Sequence, residues 1–360
     1  MNQYFLPKTG WEFFDVSRAY GLGILVDVLS GDVEISDMGG YYLIKTSGEP
    51  VFHRIDDIFA YFGSDDDWKM TLITIQRSTK ADLKRGVIKI RNQVTKLFKD
   101  LDKMQEILKK FKKTKIENSP VIGRGSQTLY QTLDLAATKG IRDEILLKKR
   151  YSEGSNINVS IEDFSLSIIG HINCTIRRFS DMGMIIVAPT PQATKVEDSM
   201  EIFTNLKDAI KGVHRAGWLP SLAQIATNLV LEELRVEEGG KFAPKFGSLI
   251  YGVMMKTGNQ WKPLTGGIFP LDFLHQIAES SKAKDVLHKW KYIFERTAPQ
   301  HMKGYEDLPV SLAEFIANPS LSNYERYIKL HLRNELDKDR IKFGGYERKV
   351  LEEVIKNVGI

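Results

Sequence analysis

The stretch VIKIRNQVTKLFKDLDKMQEILKKF, residues 87–111, decides how this sequence is organised. Its apolar residues recur alternately three and four positions apart over about four heptads, which is the pattern of a helix that buries one seam against a partner. The seam consists of Val87, Ile90, Val94, Leu97, Leu101, Met104, Leu108 and Phe111. The spacing predicts a long amphipathic helix here.

Lysines form a second regular pattern in the same stretch. Four of them, seven residues apart on the side of the helix away from the seam, form what we call the lysine stripe: Lys89, Lys96, Lys103 and Lys110, with Lys99 and Lys113 beside it. Residues 80–115 contain thirteen Lys or Arg and four Asp or Glu, which gives +9 here and leaves −4 for the rest of a chain whose formal net charge is +5. Lysines seven residues apart on a helix are separated by about 10 Å, roughly three phosphate spacings of a DNA strand. The stripe predicts a sequence-independent contact with a nucleic-acid backbone.

Other basic residues are predicted to extend this surface, and the stripe itself has a second interpretation. Arg177 and Arg178 form a short basic pair, and Arg124 lies in the sequence Gly-Arg-Gly-Ser at 123–126. That sequence precedes a predicted helix, so it is either a phosphate-binding helix N-terminus or a plain turn with Ser126 as the N-cap. The stripe could likewise be a solvated helix face, although the excess of thirteen cations over four acids favours nucleic acid.

The segments on both sides of residues 87–111 predict the fold class. The sequence Asn-Ser-Pro at 118–120 interrupts the helical pattern, and a weaker seam from Ser126 to about Arg150 predicts a second helix antiparallel to the first. Residues 11–30 predict a helix, in which Gly21 and Gly23 indicate close packing, and residues 33–36 and 41–46 predict a β-hairpin. We also expect strands at 72–75, 164–178, 183–188 and 248–256, helices at 198–216 and 221–237, and mainly helices after residue 271.

These elements predict an α+β fold. We expect a mixed α/β body with an inserted basic antiparallel helical hairpin and a helical C-terminal region. The predicted parts are an N-terminal α+β part at 1–78, the hairpin at 79–155, a central α/β part at 156–268 and the helical region at 269–360.

Composition narrows the class of protein. The chain of 360 residues is 42% hydrophobic and 27% charged, which is typical of a folded globular protein. No apolar run approaches the ~20 residues that a bilayer requires, and the first ten residues lack the pattern of a secretory signal, so we expect a cytoplasmic protein with no membrane partner. A single cysteine, Cys174, excludes an internal disulfide and a multi-cysteine zinc site.

The sequence carries no motif for catalysis, and we expect neither enzymatic activity nor a cofactor. The sequence Gly-Gly-Lys at 239–241 has Arg235 where a P-loop requires its first glycine, and neither a serine nucleophile elbow nor a zinc-protease motif occurs. Two acidic groups are candidate metal ligands: Asp65, Asp66 and Asp67, and His53 with Asp56 and Asp57. An acidic surface loop explains the first group better than a metal site does, and a helix N-terminus explains the second better.

The order of elements resembles that of a known family. The resemblance rests on a helix that opens at Gly10-Trp11 and contains Ala-Tyr-Gly-Leu-Gly at 19–23, a hairpin with Gly-Gly-Tyr-Tyr at 39–42, central strands at 165–189, and a helical C-terminal third. With these features, the chain resembles the large subunit of the archaeal type I-A CRISPR-Cas effector complex (Cascade). The resemblance lies in arrangement rather than in a short motif, and it spans most of the chain.

The resemblance implies a DNA-binding subunit that has no chemistry of its own. Such large subunits recognise the short motif beside a DNA target, help to open the duplex, stabilise the displaced strand and recruit a helicase-nuclease in antiviral defence. The implied partners are therefore DNA and guide RNA, the other Cascade subunits and the helicase-nuclease.

Two alternatives remain open. The chain could be a metal-dependent nuclease in which Asp65 and Asp67 hold magnesium with a further ligand. Alternatively, residues 80–150 could be a coiled coil for protein interaction, whose lysines keep it in solution.

Overall fold

A computed structural model of the protein describes residues 1–72, 80–112, 122–128, 158–181, 183–210, 212–237, 242–257, 260–279, 284–298, 305–334, 348–349, 351–352 and 356. The strands are β1 Asn2–Pro7, β2 Val33–Asp37, β3 Tyr41–Thr46, β4 Ile122–Thr128, β5 Asn158–Val159, β6 Ile176–Phe179, β7 Gly183–Pro191, β8 Ala193–Lys195, β9 Phe246–Thr257 and β10 Gln260–Pro270. The helices are α1 Glu12–Ser30, α2 Asp65–Thr71, α3 Lys80–Phe98, α4 Leu101–Phe111, α5 Ile161–Cys174, α6 Val196–Ala209, α7 Trp218–Arg235, α8 Asp272–Glu279, α9 Lys284–Thr297, α10 Asp307–Ala317 and α11 Leu321–Asn334, with a 3₁₀ helix at Phe52–Phe62. The predicted α+β class is confirmed.

The chain divides into two compact units. The first comprises Met1–Ile176, Ile186–Phe203 and Ile250–Gly267, and the second comprises Arg177–Ile185, Thr204–Leu249 and Ile268–Ile360. Each unit is therefore assembled from segments that are far apart in the sequence. The predicted division into four consecutive parts stays a prediction.

An antiparallel sheet in the first unit has the order β1-β3-β2-β8. Ile44 of β3 lies opposite Tyr4 of β1 on one side and Ile35 of β2 on the other, and all three side chains are buried. Because alternate residues of a strand point to opposite faces, these positions give the sheet one apolar face. The predicted hairpin of residues 33–36 and 41–46 is confirmed as β2 and β3.

Helices α1 and α5 cross closely in the first unit, and glycine makes that crossing possible. A Cβ atom on Gly21 would lie 1.9 Å from the carbonyl oxygen of Leu166, and one on Gly170 would lie 1.8 Å from that of Ser17. No side chain fits at either distance, so the two backbones meet directly. The predicted helix at 11–30 and the close packing inferred from its glycines are both confirmed.

Residues 87–111 form two helices rather than the single helix that the seam predicts. Asp100 separates α3 from α4 and is the N-cap of α4, where its carboxylate accepts a hydrogen bond of 3.1 Å from the backbone N–H of Lys103. The break leaves Leu101 44% exposed, while Phe98 and Ile107 are buried. The other seam residues are buried or, at Ile90, half-buried. The amphipathic pattern is confirmed, but its continuity is not.

Helix α5 corrects the prediction of strands over residues 164–174, whereas residues 176–178 of the same prediction are confirmed as part of β6. Ser160 is its N-cap: the hydroxyl oxygen accepts from the backbone N–H of Asp163 at 3.1 Å. Eleven of its fourteen residues are buried, from Asp163 to Cys174. An isoleucine-rich element that is covered on nearly all sides has no clear period, so helix and strand look alike in such a sequence. The strand expected at 183–188 is confirmed as β7.

Two further predictions need correction. Ser126, expected at the start of the second hairpin helix, lies within β4, which pairs antiparallel with β5. The rest of that predicted helix, and most of the strand predicted at 72–75, lie outside the described residues, although Leu72 itself is the C-cap of α2. The predicted hairpin therefore has a first arm that is broken at Asp100 and no helical start at Ser126.

A second sheet has the order β10-β9-β7-β6, and β7, β9 and β10 contribute residues to both units. The strand predicted at 248–256 is confirmed as β9. Strand β10 was not predicted, because Pro263, Gly266 and Gly267 interrupt the pattern of β-forming residues. The helix predicted at 221–237 is confirmed as α7, and the one predicted at 198–216 ends earlier, at Ala209 in α6.

The second unit is largely helical, as predicted for the C-terminal region, and aromatic rings fill its core. Trp290 of α9, Phe315 of α10 and Tyr327 of α11 pack with ring centroids 6.0 to 6.3 Å apart. Burying such rings supplies much of the apolar area that holds helices together.

Two buried polar side chains form hydrogen bonds that link different segments of this unit. His214 lies between the backbone N–H of Ala216, which donates to Nδ1 at 3.1 Å, and the hydroxyl of Thr297, 3.1 Å from Nε2. Glu233 of α7 accepts hydrogen bonds from the backbone N–H groups of Lys245 and Phe246 and lies 2.9 Å from Nε2 of His275.

Across the described residues, the helices are too short or too polar for any of them to span a membrane.

Candidate nucleic-acid interface

The exposed face of α3 carries cations and no carboxylate. Residues 85–99 include five Lys or Arg and no Asp or Glu. The exposed residues of this segment are Arg85, Ile88, Lys89, Asn92, Gln93, Lys96 and Lys99. At ~3.6 residues per turn, these seven project within an arc of about 140°. We call this surface the α3 face.

Packing beneath α3 fixes the direction in which this face points. Val87, Val94 and Phe98 are buried on the opposite side of the helix. The ring of Phe98 lies 6.1 Å from that of Phe62, and Arg91 pairs with Asp65 at one edge of the helix. The α3 face is thus held outward by contacts that involve neither Lys89 nor Lys96.

Lys89 and Lys96 form the first half of the lysine stripe. Both are exposed, and neither makes an ion pair within the part of the chain that the structure describes. Lys99 is also exposed, and its ammonium group lies 5.7 Å from the ring centre of Phe59. Within the described residues, none of these three ammonium groups is paired with a carboxylate.

The second half of the stripe, on α4, is engaged within the protein. Lys103 Nζ lies 2.6 Å from Glu106 Oε2, and Lys110 Nζ lies 2.9 Å from Asp163 Oδ2. Helix α4 also exposes Asp102, so its outer surface carries both signs of charge. The structure thus divides the stripe: within the described residues Lys89 and Lys96 of α3 have no carboxylate partner, whereas both stripe lysines of α4 do.

Lys110 belongs to a buried network of charges that the sequence did not indicate. Asp163 is fully buried at the start of α5 and accepts hydrogen bonds from Arg18 Nε at 3.0 Å and from the hydroxyl of Ser160 at 2.9 Å. Arg18 also donates to Asp15 at 3.1 Å, and Asp15 accepts from the backbone N–H groups of Thr9 and Gly10. The network ties α1, α4 and α5 together.

The two carboxylates of this network respond differently to burial. Burial alone would raise the pKa of Asp163, but Arg18, Lys110 and Ser160 together outweigh it, so that this pKa lies below its usual range. Burial raises the pKa of Asp15, and the charge of Arg18 and the hydrogen bonds of Thr9 and Gly10 only partly offset it. Asp163 is therefore the better-stabilised anion.

The sequence did contain a signal for part of this network. Ser160 and Asp163 have the Ser-x-x-Asp spacing of a helix N-terminus, which would have predicted α5 in place of a strand. No local pattern, however, relates Arg18 or Lys110 to a carboxylate 145 or 53 residues away.

The remaining predicted site residues do not join the α3 face. Lys113 and the side chain of Arg124 lie outside what the structure describes. Arg177 and Arg178 belong to β6, and only Arg177 is partly exposed. Arg178 is 5% exposed, its guanidinium donates to the carbonyl of Leu206, and burial lowers its pKa to about 10. This corrects the expectation that Arg178 lies on an open basic surface, because a buried guanidinium cannot reach a phosphate.

The acidic run at 65–67 forms the first turn of α2. Asp67 and Ser64 make a reciprocal capping box, Asp66 pairs with Lys69 at 2.7 Å, and Asp65 pairs with Arg91. These carboxylates therefore serve a helix N-terminus, where negative charge is favourable. His53, Asp56 and Asp57 lie on the 3₁₀ helix, and Asp57 is 3.6 Å from Arg54. Within the described ranges, no group of three or more His, Cys, Asp or Glu side chains is arranged to hold a metal ion.

Comparison with known proteins identifies a relative along the full length of the chain. A protein of Archaeoglobus fulgidus, described as an uncharacterized protein, is 64% identical over 362 residues, which cover 100% of this chain and 99% of the relative. No model of a protein family matches the chain.

Proposed function

The chain belongs to the same protein family as its Archaeoglobus fulgidus relative, and we propose that it is a nucleic-acid-binding subunit with no chemistry of its own. The α3 face holds the phosphate backbone in this proposal. One observation carries it: an exposed helical face from Arg85 to Lys99 that contains no carboxylate and is held outward by a buried apolar side.

The neighbouring helix α4 supports this interpretation by contrast. Surface helices that are basic only for solubility usually mix both signs of charge, as α4 does with Asp102, Lys103 and Glu106. The α3 face has no such mixture, although it lies in the same stretch of sequence. Every cation on such a face strengthens the binding of a polyanion, because the counterions of the polyanion are released into solution.

The resemblance to the large subunit of the type I-A Cascade supports a more specific proposal. The assembly would then be a CRISPR interference complex in the cytoplasm of an archaeal cell, and the chain would contact target DNA during motif recognition, strand opening or stabilisation of the displaced strand. Its partners would be DNA and guide RNA, the other subunits of the complex and a helicase-nuclease. The α3 face suits this role, because guide pairing reads most of the target and leaves backbone contacts to the protein.

Salt-dependent binding tests the proposal. Affinity for fluorescent DNA duplex, single-stranded DNA and RNA is measured from about 50 to 300 mM salt for the wild type and for the double variant Lys89→Gln/Lys96→Gln. We expect the slope of log affinity against log salt to fall by about two in the variant, because each phosphate contact contributes about one.

A matched control removes the same charge elsewhere in the first unit. Lys45 and Lys195 pair with Glu34 and Asp32 at 3.8 and 3.3 Å, so Lys45→Gln/Lys195→Gln lowers the net charge equally without touching the α3 face. This control should keep the wild-type slope. Absence of binding at about 50 mM salt, or equal slopes in both variants, would show that the α3 face is only a solvated surface.

A further inference from the structure

Strand β10 is a long strand at the edge of its sheet. In the sheet β10-β9-β7-β6 it has eleven residues, whereas β6 at the opposite edge has four. Within the part of the chain that the structure describes, no backbone group of residues 263–270 bonds to a segment outside the sheet. The open side of an edge strand carries backbone N–H and C=O groups that can pair with another strand.

The exposed side chains of β10 follow the two-residue period of a strand. Leu264, Gly266 and Ile268 are exposed, whereas Thr265 and Gly267 between them are half-buried. Leu264 is 53% exposed and Ile268 is 56% exposed. Because alternate residues of a strand point to opposite faces, these two apolar side chains lie on the same face, one on each side of Gly266.

The usual protection of an edge strand is missing from this part of β10. Proteins keep edge strands short or place charges, especially lysine, on them. Strand β8, at an edge of the other sheet, has three residues and ends in the exposed Lys195. At β6, the carbonyl of Phe179 accepts a hydrogen bond of 3.2 Å from the backbone N–H of Val213. Residues 263–270 contain no charged side chain, so none repels an approaching strand.

We propose that β10 pairs antiparallel with β10 of a second copy of this chain, about a two-fold axis at Gly266. This register places Leu264 of each copy opposite Ile268 of the other, and such apolar cross-strand pairs stabilise a sheet. A two-fold contact requires a surface that is complementary to itself. Two apolar side chains at equal distances from a central glycine meet that requirement.

Charge favours a second copy at this place on the surface. The chain carries a formal net charge of +5, so two copies repel each other in general and approach most easily where the surface is uncharged. Pro263 and Pro270 lack a backbone N–H, but each of the six residues between them has one. A single pair of strands is small beside the ~1,200–2,000 Å² of a stable interface, so we expect a dissociation constant on the order of 10 µM.

Sedimentation velocity of the full-length protein, from about 1 to 200 µM and without nucleic acid, tests the inference. The wild type should change from monomer to dimer over this range. Leu264→Lys/Ile268→Lys places like charges opposite each other twice in the dimer and should stay monomeric throughout. Leu264→Lys/Ile268→Glu places opposite charges in the same register. It should dimerise about tenfold more tightly than the first variant, because both cross-strand pairs become attractive.

The matched control is Leu321→Lys/Leu332→Lys on α11. These leucines are 58% and 59% exposed, so the control removes similar apolar area and adds the same charge away from β10. It should dimerise like the wild type, and circular dichroism checks that every variant is folded.

Three results would overturn the inference. A wild type that stays monomeric at about 200 µM would leave β10 to a different partner. Equal dissociation constants for the two β10 variants would contradict the antiparallel register about Gly266. Loss of the dimer in the α11 control would place the contact elsewhere. The inference does not depend on the proposed function, because none of these measurements involves nucleic acid.

Discussion

Lys110 Nζ lies 2.9 Å from Oδ2 of Asp163, and the two side chains differ sharply in exposure: 46% for the lysine and 1% for the aspartate. A residue of the predicted lysine stripe thus completes a buried charge network that begins at Asp15 and Arg18. Breaking a buried pair by removing one partner leaves an uncompensated charge, and the cost depends on which partner stays buried.

This asymmetry predicts the order of two variants. Asp163→Asn should lower the free energy of unfolding by about 3 kcal/mol, because it leaves the buried Arg18 with Asp15 as its remaining carboxylate partner. Lys110→Gln should cost about 1 kcal/mol or less, since its ammonium group is half exposed and water replaces part of the pair. Urea unfolding of both variants at about pH 7.5 measures the difference.

Lys103→Gln is the control for this comparison. Its partner Glu106 is exposed, so the loss of that pair should change stability by less than about 0.5 kcal/mol. The interpretation of the network is wrong if Lys110→Gln lowers the free energy of unfolding by more than Asp163→Asn does.

The crossing of α1 and α5 predicts a severe effect of a single methyl group. In Gly21→Ala the new Cβ would lie 1.9 Å from a backbone oxygen, so the helices must separate, and we expect a loss of about 3 kcal/mol or more. Gly40→Ala, where no atom lies within 4 Å of the added Cβ, should change stability by less than about 0.5 kcal/mol. Circular dichroism during thermal unfolding distinguishes the two, and equal melting temperatures would contradict the close crossing.

The lowered pKa of His214 predicts that the free energy of unfolding decreases in mild acid. Burial lowers the pKa of His214 from 6.5 to about 4. Between these two pH values the imidazole is therefore protonated in the unfolded chain but neutral in the folded protein. The stability due to this neutral group is complete above about pH 6.5 and is lost as the pH falls towards 4. Between about pH 7.5 and 5 the loss should be about 2 kcal/mol.

The variant His214→Asn measures this contribution. Asparagine can place its carboxamide oxygen near the position of Nδ1 and still accept from the backbone N–H of Ala216, but it is too short to reach Thr297, and it does not titrate. The fall in stability between the two pH values, measured by urea unfolding, should be smaller than in the wild type by about 2 kcal/mol. An unchanged pH dependence would mean that His214 is protonated in the folded protein near its ordinary pKa.

Ion pairing on α4 predicts a gain of binding. Glu106→Gln should release Lys103 from its 2.6 Å pair and raise DNA affinity several-fold, with the salt slope increasing by about one, if the phosphate track continues from α3 onto α4. The same measurement on Glu325→Gln, which releases Lys329 on α11, controls for the change in net charge. If both variants bind equally, the track ends with α3.

Much of the local structure could be predicted from periodicity. The seam at residues 87–111 correctly indicated which side of α3 and α4 is buried, and the two-residue alternation correctly indicated β2 and β3. Prediction failed where burial on all sides removes the period, as in α5, and where one residue interrupts a regular pattern, as Asp100 does between α3 and α4. A helix cap is a local event, and the heptad pattern continues through it unchanged.

By itself, the sequence determined that a basic amphipathic segment exists, that its lysines lie away from the apolar seam, and that residues 85–99 contain no acid, because composition and helical spacing are local properties. Only the tertiary structure decided which of these cations remain available. Lys110 is paired because the chain brings Asp163 to it across 53 residues, and Arg178 is buried at the carbonyl of Leu206. Lys89 and Lys96 stay unpaired within the described residues because the side of α3 that packs against the protein is the opposite one. Charge pairing is set by distance in space, and distance in space follows from the fold.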